Sequence, residues 1–299
     1  MSTRIESILV ATDLSAPAQL AVERAARLAW EHGARLDLCS AALLPQPMPI
    51  WGDMVSANWF DTSEILASTQ RQLTAMASAL GERFGIQVGC HCEAANAGSM
   101  VPAHAQAGGY GLLVIGATGE GALSRRLFGS TAQTIVRRAR TPVLVVRRPS
   151  PDGYARLLAA TDFSEDALAA ARFACTLAPT AALTVFAALD LPTLSVDPFL
   201  GFNASERAIH LETARSRTRS ALVDLAARLG RADGHAIVRD GRPSHELPAL
   251  IAELDVELLS VGSHGKSRLE TSVVGSTSLH AINEAGCDVL VMPALQHMQ

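Results

Sequence analysis

Leu112-Leu-Val-Ile-Gly116-Ala-Thr-Gly119, nine residues, then Gly129-Ser130-Thr131, is repeated later as Glu257-Leu-Leu-Ser-Val-Gly262-Ser-His-Gly265, nine residues, then Gly275-Ser276-Thr277. In each copy an apolar run of strand length opens into paired glycines, and a segment with helical spacing follows the Ser-Thr pair. Glycines without Cβ atoms let backbone N–H groups converge, and a helix start adds further donors and a favourable dipole. The spacing predicts a phosphate cradle at the end of a buried strand, made twice.

Working outward, Ile8-Leu-Val-Ala-Thr-Asp13-Leu-Ser15 recurs as Leu157-Leu-Ala-Ala-Thr-Asp162-Phe-Ser164, and Thr141-Pro-Val-Leu-Val-Val146 recurs as Cys287-Asp-Val-Leu-Val-Met292. Asp162 lies 149 positions after Asp13 and Gly262 lies 146 after Gly116, so the copies differ only by short length changes. The chain reads as a tandem duplication. The join is expected within Arg147-Arg-Pro-Ser-Pro-Asp-Gly153, where prolines and a glycine break the apolar pattern. The resulting domains are 1–148 and 154–295, each of ordinary size for one core.

Strands are expected near 8–12, 35–43, 87–93, 112–116 and 142–147, and again near 156–161, 182–189, 234–239, 257–262 and 287–292. Helical spacing marks Ala18 to His32, closed by Gly33, a long helix from about Thr62, and another from about Ala204 to Leu229. Alternating strands and helices predict an α/β fold, doubly wound, with parallel sheets covered on both faces. In such sheets ligands sit beyond the carboxyl ends of the strands, at the switch point. If the first and fourth strands are neighbours, Asp13 and the Gly116 loop face one crevice, as do Asp162 and the Gly262 loop. A carboxylate there is suited to a neutral donor such as a ribose hydroxyl or an amino group; equally, Asp-x-Ser can cap the following helix.

Composition bounds the alternatives. The net charge of −4 and pI near 6.1 give no global attraction to nucleic acid or to an anionic membrane. Hydrophobic residues make up 48% but fall in short runs, and the chain reaches Asp13 too soon for a secretory signal, so a cytoplasmic location is expected. The 5 cysteines show no disulfide-framework spacing. Cys90-His91-Cys92 contains zinc-ligand types, yet as a strand it sends the cysteines to one face and His91 to the other. No metal site is expected. Two residues separate Gly262 from Gly265, whereas a P-loop needs four, and the first strand lacks the dehydrogenase glycine turn. His104, His245 and His264 are expected on helix or loop surfaces, and no catalytic residue is identified.

With both motifs complete, the chain resembles a tandem universal stress protein of the ATP-binding type. The resemblance implies two Rossmann-like, adenine nucleotide alpha hydrolase-like domains of five strands each, with ATP, accompanied by Mg²⁺, in each crevice. It implies that Asp13 and Asp162 lie near adenine and ribose, with backbone contacts to the base near Ala41 and Ala188. Gly116, Gly119, Gly262 and Gly265 would face the ribose and first phosphates; Gly129, Ser130, Thr131, Gly275, Ser276 and Thr277 would hold the outer ones. Arg125 and Arg126, with Lys266 and Arg268, would add positive charge or form a solvated loop face. The resemblance further implies association through the last strand, here an internal pseudo-dimer or a homodimer. A nucleotide-dependent regulatory module in stress response, acting on a protein partner, is the expected role; a slow ATP hydrolase and a sensor of cyclic AMP are the alternatives.

Two departures stand out. Gly108-Gly109-Tyr110-Gly111 replaces the residues equivalent to Leu254-Asp255 and is expected to distort the start of the fourth strand. Aromatics in the loops from Trp51 to Phe60 and from Phe199 to Phe202 are expected to form a lid, an inter-domain contact or local packing.

Overall fold

The computed structural model describes residues 4–42, 62–119, 128–149, 152–190, 204–263 and 276–294. The chain divides into two compact units, Met1–Ser150 and Pro151–Gln299. The loop aromatics between 43 and 61 and between 191 and 203 lie outside the described residues.

The first unit runs β1 (Ser7–Ala11), α1 (Ala16–His32), β2 (Arg35–Ala41), α2 (Thr62–Phe84), β3 (Val88–Glu93), α3 (Ala97–Ala107), β4 (Leu112–Gly116), α4 (Ser130–Arg138) and β5 (Val143–Val146). Its strands lie in the order β3-β2-β1-β4-β5, all parallel. The chain therefore reverses direction across the sheet between β1 and β4, which opens a crevice at their carboxyl ends.

The second unit repeats this as β6 (Arg156–Ala160), α5 (Glu165–Leu177), β7 (Ala182–Leu189), α6 (Ala204–Arg228), β8 (His235–Asp240), α7 (Pro243–Glu253), β9 (Leu258–Gly262), α8 (Ser276–Glu284) and β10 (Asp288–Met292). Its order is β8-β7-β6-β9-β10, again parallel, with the switch between β6 and β9.

Burial explains the uninterrupted apolar runs. Ile8, Leu9 and Val10 of β1, Leu112 to Val114 of β4 and Leu144 and Val145 of β5 are all fully buried, because helices cover both faces. Each such side chain contributes roughly 1.5–3 kcal/mol relative to exposure. Helix α1 fits its groove through small residues: Ala18, Ala21, Ala25 and Ala29 face the sheet, and Gly33 at φ +60° closes the helix by donating to Ala29 O and Trp30 O.

The start of the fourth strand is not distorted by Gly108 to Gly111. Gly109 has φ +62° and its counterpart Asp255 has φ +46°, so both units make one left-handed turn at this point. Tyr110 N donates to Ala105 O and Gly111 N to Ser7 O; Val256 N to Ile251 O and Glu257 N to Arg156 O are the same bonds. Both fourth strands are then 5 residues long. The glycine meets the conformational demand directly, whereas Asp255 holds it while paired with Arg156 at 2.8 Å.

Candidate functional site

Each first strand ends in the same hydrogen-bonded turn. Leu14 N donates to Thr12 Oγ1 at 3.0 Å, and Ser15 N to Asp13 Oδ1 at 3.0 Å, with the Ser15 hydroxyl donating to the same oxygen. Ser15 Oγ then accepts from Ala18 N at 3.3 Å and starts α1. In the second unit Phe163 N donates to Thr161 Oγ1 at 2.8 Å, Ser164 N to Asp162 Oδ1 at 3.0 Å, and Ala167 N to Ser164 Oγ at 3.3 Å. The cap is thus made by Ser15 and Ser164, while the aspartates orient the serines. The residue between them, Leu14 or Phe163, adopts φ +64° in both units. A bulky side chain in this region costs about 1–2 kcal/mol, and the side-chain bonds on either side hold it there. Sequence reasoning did not find this left-handed residue. The signal available was the repeated Thr-Asp-x-Ser, four residues of which three can bond to nearby backbone.

The fourth-strand loop comes down on the aspartate. A methyl group on Gly119 would fall 2.6 Å from Asp13 Oδ2, so the loop backbone and the carboxylate share one wall of the first crevice. Strand β4 pairs directly with β1, as Ile8 with Leu112 through Val10 with Val114. Gly116 occupies a different place: its nearest neighbours are Thr118 O at 3.3 Å and Ala18 Cα at 3.5 Å from a built methyl, so it faces the first turn of α1. Gly262 is tighter still, with Ala167 N at 2.8 Å and Asp166 C at 2.9 Å. The first glycine of each motif is therefore a helix-packing residue at the end of its strand.

The far end of the loop is tied back. Gly129 N donates to Ala117 O at 2.9 Å, and Gly129, extended at φ −62° and ψ 144°, precedes α4 with no side-chain cap among the described residues. The first intrahelical bond is Gln133 N to Gly129 O, so the amides of Ser130, Thr131 and Ala132 form the open first turn. Ser130 and Thr131 are exposed there. In the second unit Ser278 Oγ donates to Gly262 O at 2.6 Å, a buried tie where the first unit has Ala132.

Ala41 ends β2 opposite Glu93, and Ala188 lies in β7 opposite Arg239, each at the carboxyl end of its sheet. Thr12 N to Cys39 O and Thr161 N to Phe186 O, both 2.9 Å, close the neighbouring strand ends. The described geometry brings together Asp13 with Gly119 and Gly129 with Ala117. Arg125, Arg126, Gly265, Lys266, Arg268 and Gly275 lie outside the described residues, as do the side chains of Ser276 and Thr277. Among the described residues no group of three His, Cys, Asp or Glu is arranged to hold a metal ion. No described helix is long and apolar enough to cross a membrane.

The Universal stress protein family profile matches residues 4–147 and again 153–293. The chain belongs to the universal stress protein family. A universal stress protein of Mycobacterium tuberculosis strain H37Rv is 30% identical over 188 residues, 60% of this chain and 61% of that one. A universal stress protein E homolog of Haemophilus influenzae is 27% identical over 103 residues, 34% of this chain. The match thus spans 30% of the Haemophilus relative and 61% of the mycobacterial one. Among solved structures, a functionally unknown protein from Pseudomonas aeruginosa PAO1 aligns with TM-score 0.67 at 20% identity, covering 99% of this chain and 95% of that one. A universal stress protein from Archaeoglobus fulgidus aligns with TM-score 0.67 at 16% identity, covering 96% and 98%. These two likenesses establish the tandem universal stress protein fold.

Proposed function

We propose that the chain is a nucleotide-dependent regulatory module that binds ATP with Mg²⁺ at the switch-point crevices and changes its protein contacts accordingly. The observation that carries this reading is the apposition of Asp13 and Gly119 beside the open first turn of α4. The carboxylate suits the neutral, donor-bearing end of a nucleoside, and the α4 amides with Ser130 and Thr131 suit phosphate oxygens. A side chain on Gly119 would press on the Asp13 carboxylate. Bound Mg²⁺ would neutralise phosphate charge, its remaining ligands coming from water.

In this reading the residues of this chain bind and orient, with Asp13 and Asp162 holding hydrogen bonds, and the Gly, Ser and Thr positions common to both glycine motifs supply no residue type suited to activating water. Hydrolysis needs a positioned nucleophile in addition to phosphate binding, so turnover should be very slow. Calorimetry tests the reading. Gly129→Glu should remove one ATP equivalent and Gly275→Glu the other, while circular dichroism stays unchanged. ATP at about 100 times its dissociation constant should stabilise a site by roughly 2.7 kcal/mol, and a nonhydrolysable analogue should do the same. Unchanged stoichiometry in both variants would sink the reading. Brisk multiple-turnover phosphate release, lost in Asp13→Ala with Asp162→Ala, would instead establish the hydrolase, and tighter binding of cyclic AMP than of ATP would establish the cyclic nucleotide sensor.

A further inference from the structure

Where α3 meets the edge strand β3, the first unit is built from ionisable side chains. His91 of β3 and His104 of α3 stack with ring centroids 4.2 Å apart and planes 10° from parallel. Tyr110, in the turn after α3, lies with its ring 6.0 Å from that of His104 and donates its hydroxyl to Asp37 Oδ2 at 2.9 Å. From β2, Arg35 Nε sits 2.9 Å from the same carboxylate oxygen, and its guanidinium lies 5.2 Å over the Tyr110 ring. From β3, Glu93 Oε2 is 3.6 Å from His91 Nε2. Cys39 stands beside His91 in register, with its Sγ 3.6 Å from Met100 Sδ; burial pushes its thiol up to about 12, so it stays neutral. Burial and the Asp37 bond likewise push Tyr110 up to about 12. Two stacked imidazoles thus sit among the side chains of Asp37, Glu93 and Arg35.

The second unit puts apolar residues where the two histidines and the tyrosine stand. Strand register and the shared helix prolines, Pro102 and Pro248, align His91 with Ile237, His104 with Leu250 and Tyr110 with Val256. Asp37 corresponds to Thr184. Leu250 and Val256 are 0% and 2% exposed, ordinary core residues.

We propose that the His91–His104 stack is an acid-sensitive latch that ties α3, itself packed on β2 and α4, to β3 in the first unit alone, and that charging it loosens α3 and with it the first turn of α4. Two imidazolium rings at this spacing repel, and Glu93 can offset one charge but not both. Burial first, then His91, hold His104 below its ordinary value of 6.5, against the opposing pull of Asp37 and Glu93. A conformation with the stack opened takes up protons more readily, so falling pH favours it. The route to α4 is short: a methyl on Gly98 of α3 would fall 2.8 Å from Thr134 Cγ2, and Thr134 Oγ1 donates to Ser130 O at 2.9 Å. Loosening of α3 thus weakens the support of the turn that carries Ser130 and Thr131. This last step, control of the first crevice, rests on the nucleotide reading above; the latch itself does not.

Hydrogen exchange on the full chain without nucleotide, at about pH 7.5 and about pH 5.5 with intrinsic rates corrected, reads the latch. Residues 88–93 and 97–107 should lose protection by about tenfold or more at the lower pH, and the equivalent 235–240 and 243–253 should not. His91→Ile with His104→Leu, which installs the second unit's pair, should abolish the response. His104→Gln, which keeps a planar polar group that cannot be charged, should abolish it too. Equal protection at both pH values, or a response that survives both variants, would overturn the latch. ATP titration of Gly275→Glu and Gly129→Glu, which leave the first and second crevice respectively, should show affinity falling at low pH more steeply in the first crevice. Equal pH responses of the two would overturn the regulatory step. No ATP binding at about pH 7.5 would overturn the nucleotide reading, with exchange still deciding the latch.

Discussion

Gly116 and Gly262 hold the same place in the two glycine motifs, yet their surroundings differ. Around Gly116 the nearest atom to an added methyl is a loop carbonyl at 3.3 Å, and α1 stands back at 3.5 Å. Around Gly262 the backbone of α5 closes to 2.8 Å and 2.9 Å, with Asp166 in the helix's first turn where the first unit has Pro17. One motif spacing therefore serves two packing situations: a strand end with some slack against its helix, and a helix docked on bare backbone. Sequence identity at a glycine does not tell which.

The largest effect expected from this contrast is in stability. Gly262→Ala should destabilise the second unit by about 2–3 kcal/mol, because neither strand nor helix backbone can yield without shifting the other. Gly116→Ala should cost less than about 1 kcal/mol, since a movement of a few tenths of an ångström relieves it. Denaturant titration of both variants measures the gap, and equal losses would erase the distinction.

A second contrast lies at the opposite end of the sheets. Tyr154 donates to Asp288 Oδ2 at 2.7 Å, with the two residues only 4% and 1% exposed. The corresponding residues of the first unit are Ile5 and Pro142. Tyr154→Phe should cost about 2 kcal/mol, the usual loss when a buried carboxylate gives up a hydrogen bond. Ile5→Val in the first unit, which removes one methyl group from a buried site, should cost about 1 kcal/mol. Chemical denaturation of the two variants compares a polar with an apolar solution to the same position.

Much of this architecture was legible in the residues. The expected strand at 112–116 is β4, that at 182–189 is β7, and the long helices begin at Thr62 and Ala204 as their spacing requires. Buried parallel strands announce themselves as continuous apolar runs ended by glycine or aspartate, so their limits fall within a residue or two. The pairing of β1 with β4 follows from the doubly wound order. Side-chain-driven geometry was less legible. Leu14 and Phe163 occupy a conformation normally left to glycine because Thr12, Asp13, Thr161 and Asp162 bond the turn closed. Strand alternation set His91 apart from Cys90 and Cys92, and Cys90 indeed meets Gln70 of α2 at 3.1 Å on the other face. His104 was expected on a surface; it is half-buried against His91, brought there by a crossover helix whose rotation no local pattern specifies.

The acid response of the corner follows a definite sign. His104 is held below its unfolded value, so its contribution is complete above about pH 6.5 and is lost as pH falls through the lowered folded value. The melting temperature of the wild type should therefore fall between about pH 7 and about pH 5 more than that of His91→Ile with His104→Leu. Calorimetric scans across this range should show the difference in the transition of the first unit. Parallel pH profiles for the two proteins would remove any role of the histidines in stability.

The smallest expected effect concerns one hydroxyl. Ser260 of β9 is fully buried, and its Oγ finds no hydrogen-bond partner among the described residues, whereas the first unit has Val114 at the same place in β4. Its Cα is paired with Ala159 on one side and Leu290 on the other, so the surroundings are apolar strand on both flanks. A buried hydroxyl without a partner carries a desolvation cost of about 1–3 kcal/mol, and removing the oxygen leaves only a small void that offsets part of the gain. Ser260→Ala should therefore stabilise the second unit by about 1 kcal/mol, read as a higher denaturation midpoint at unchanged slope. A lower midpoint would mean that the hydroxyl is satisfied in solution, by water reaching the strand or by the carbonyl of its own turn of sheet, and that the polar second copy of this position is as well adapted as the apolar first.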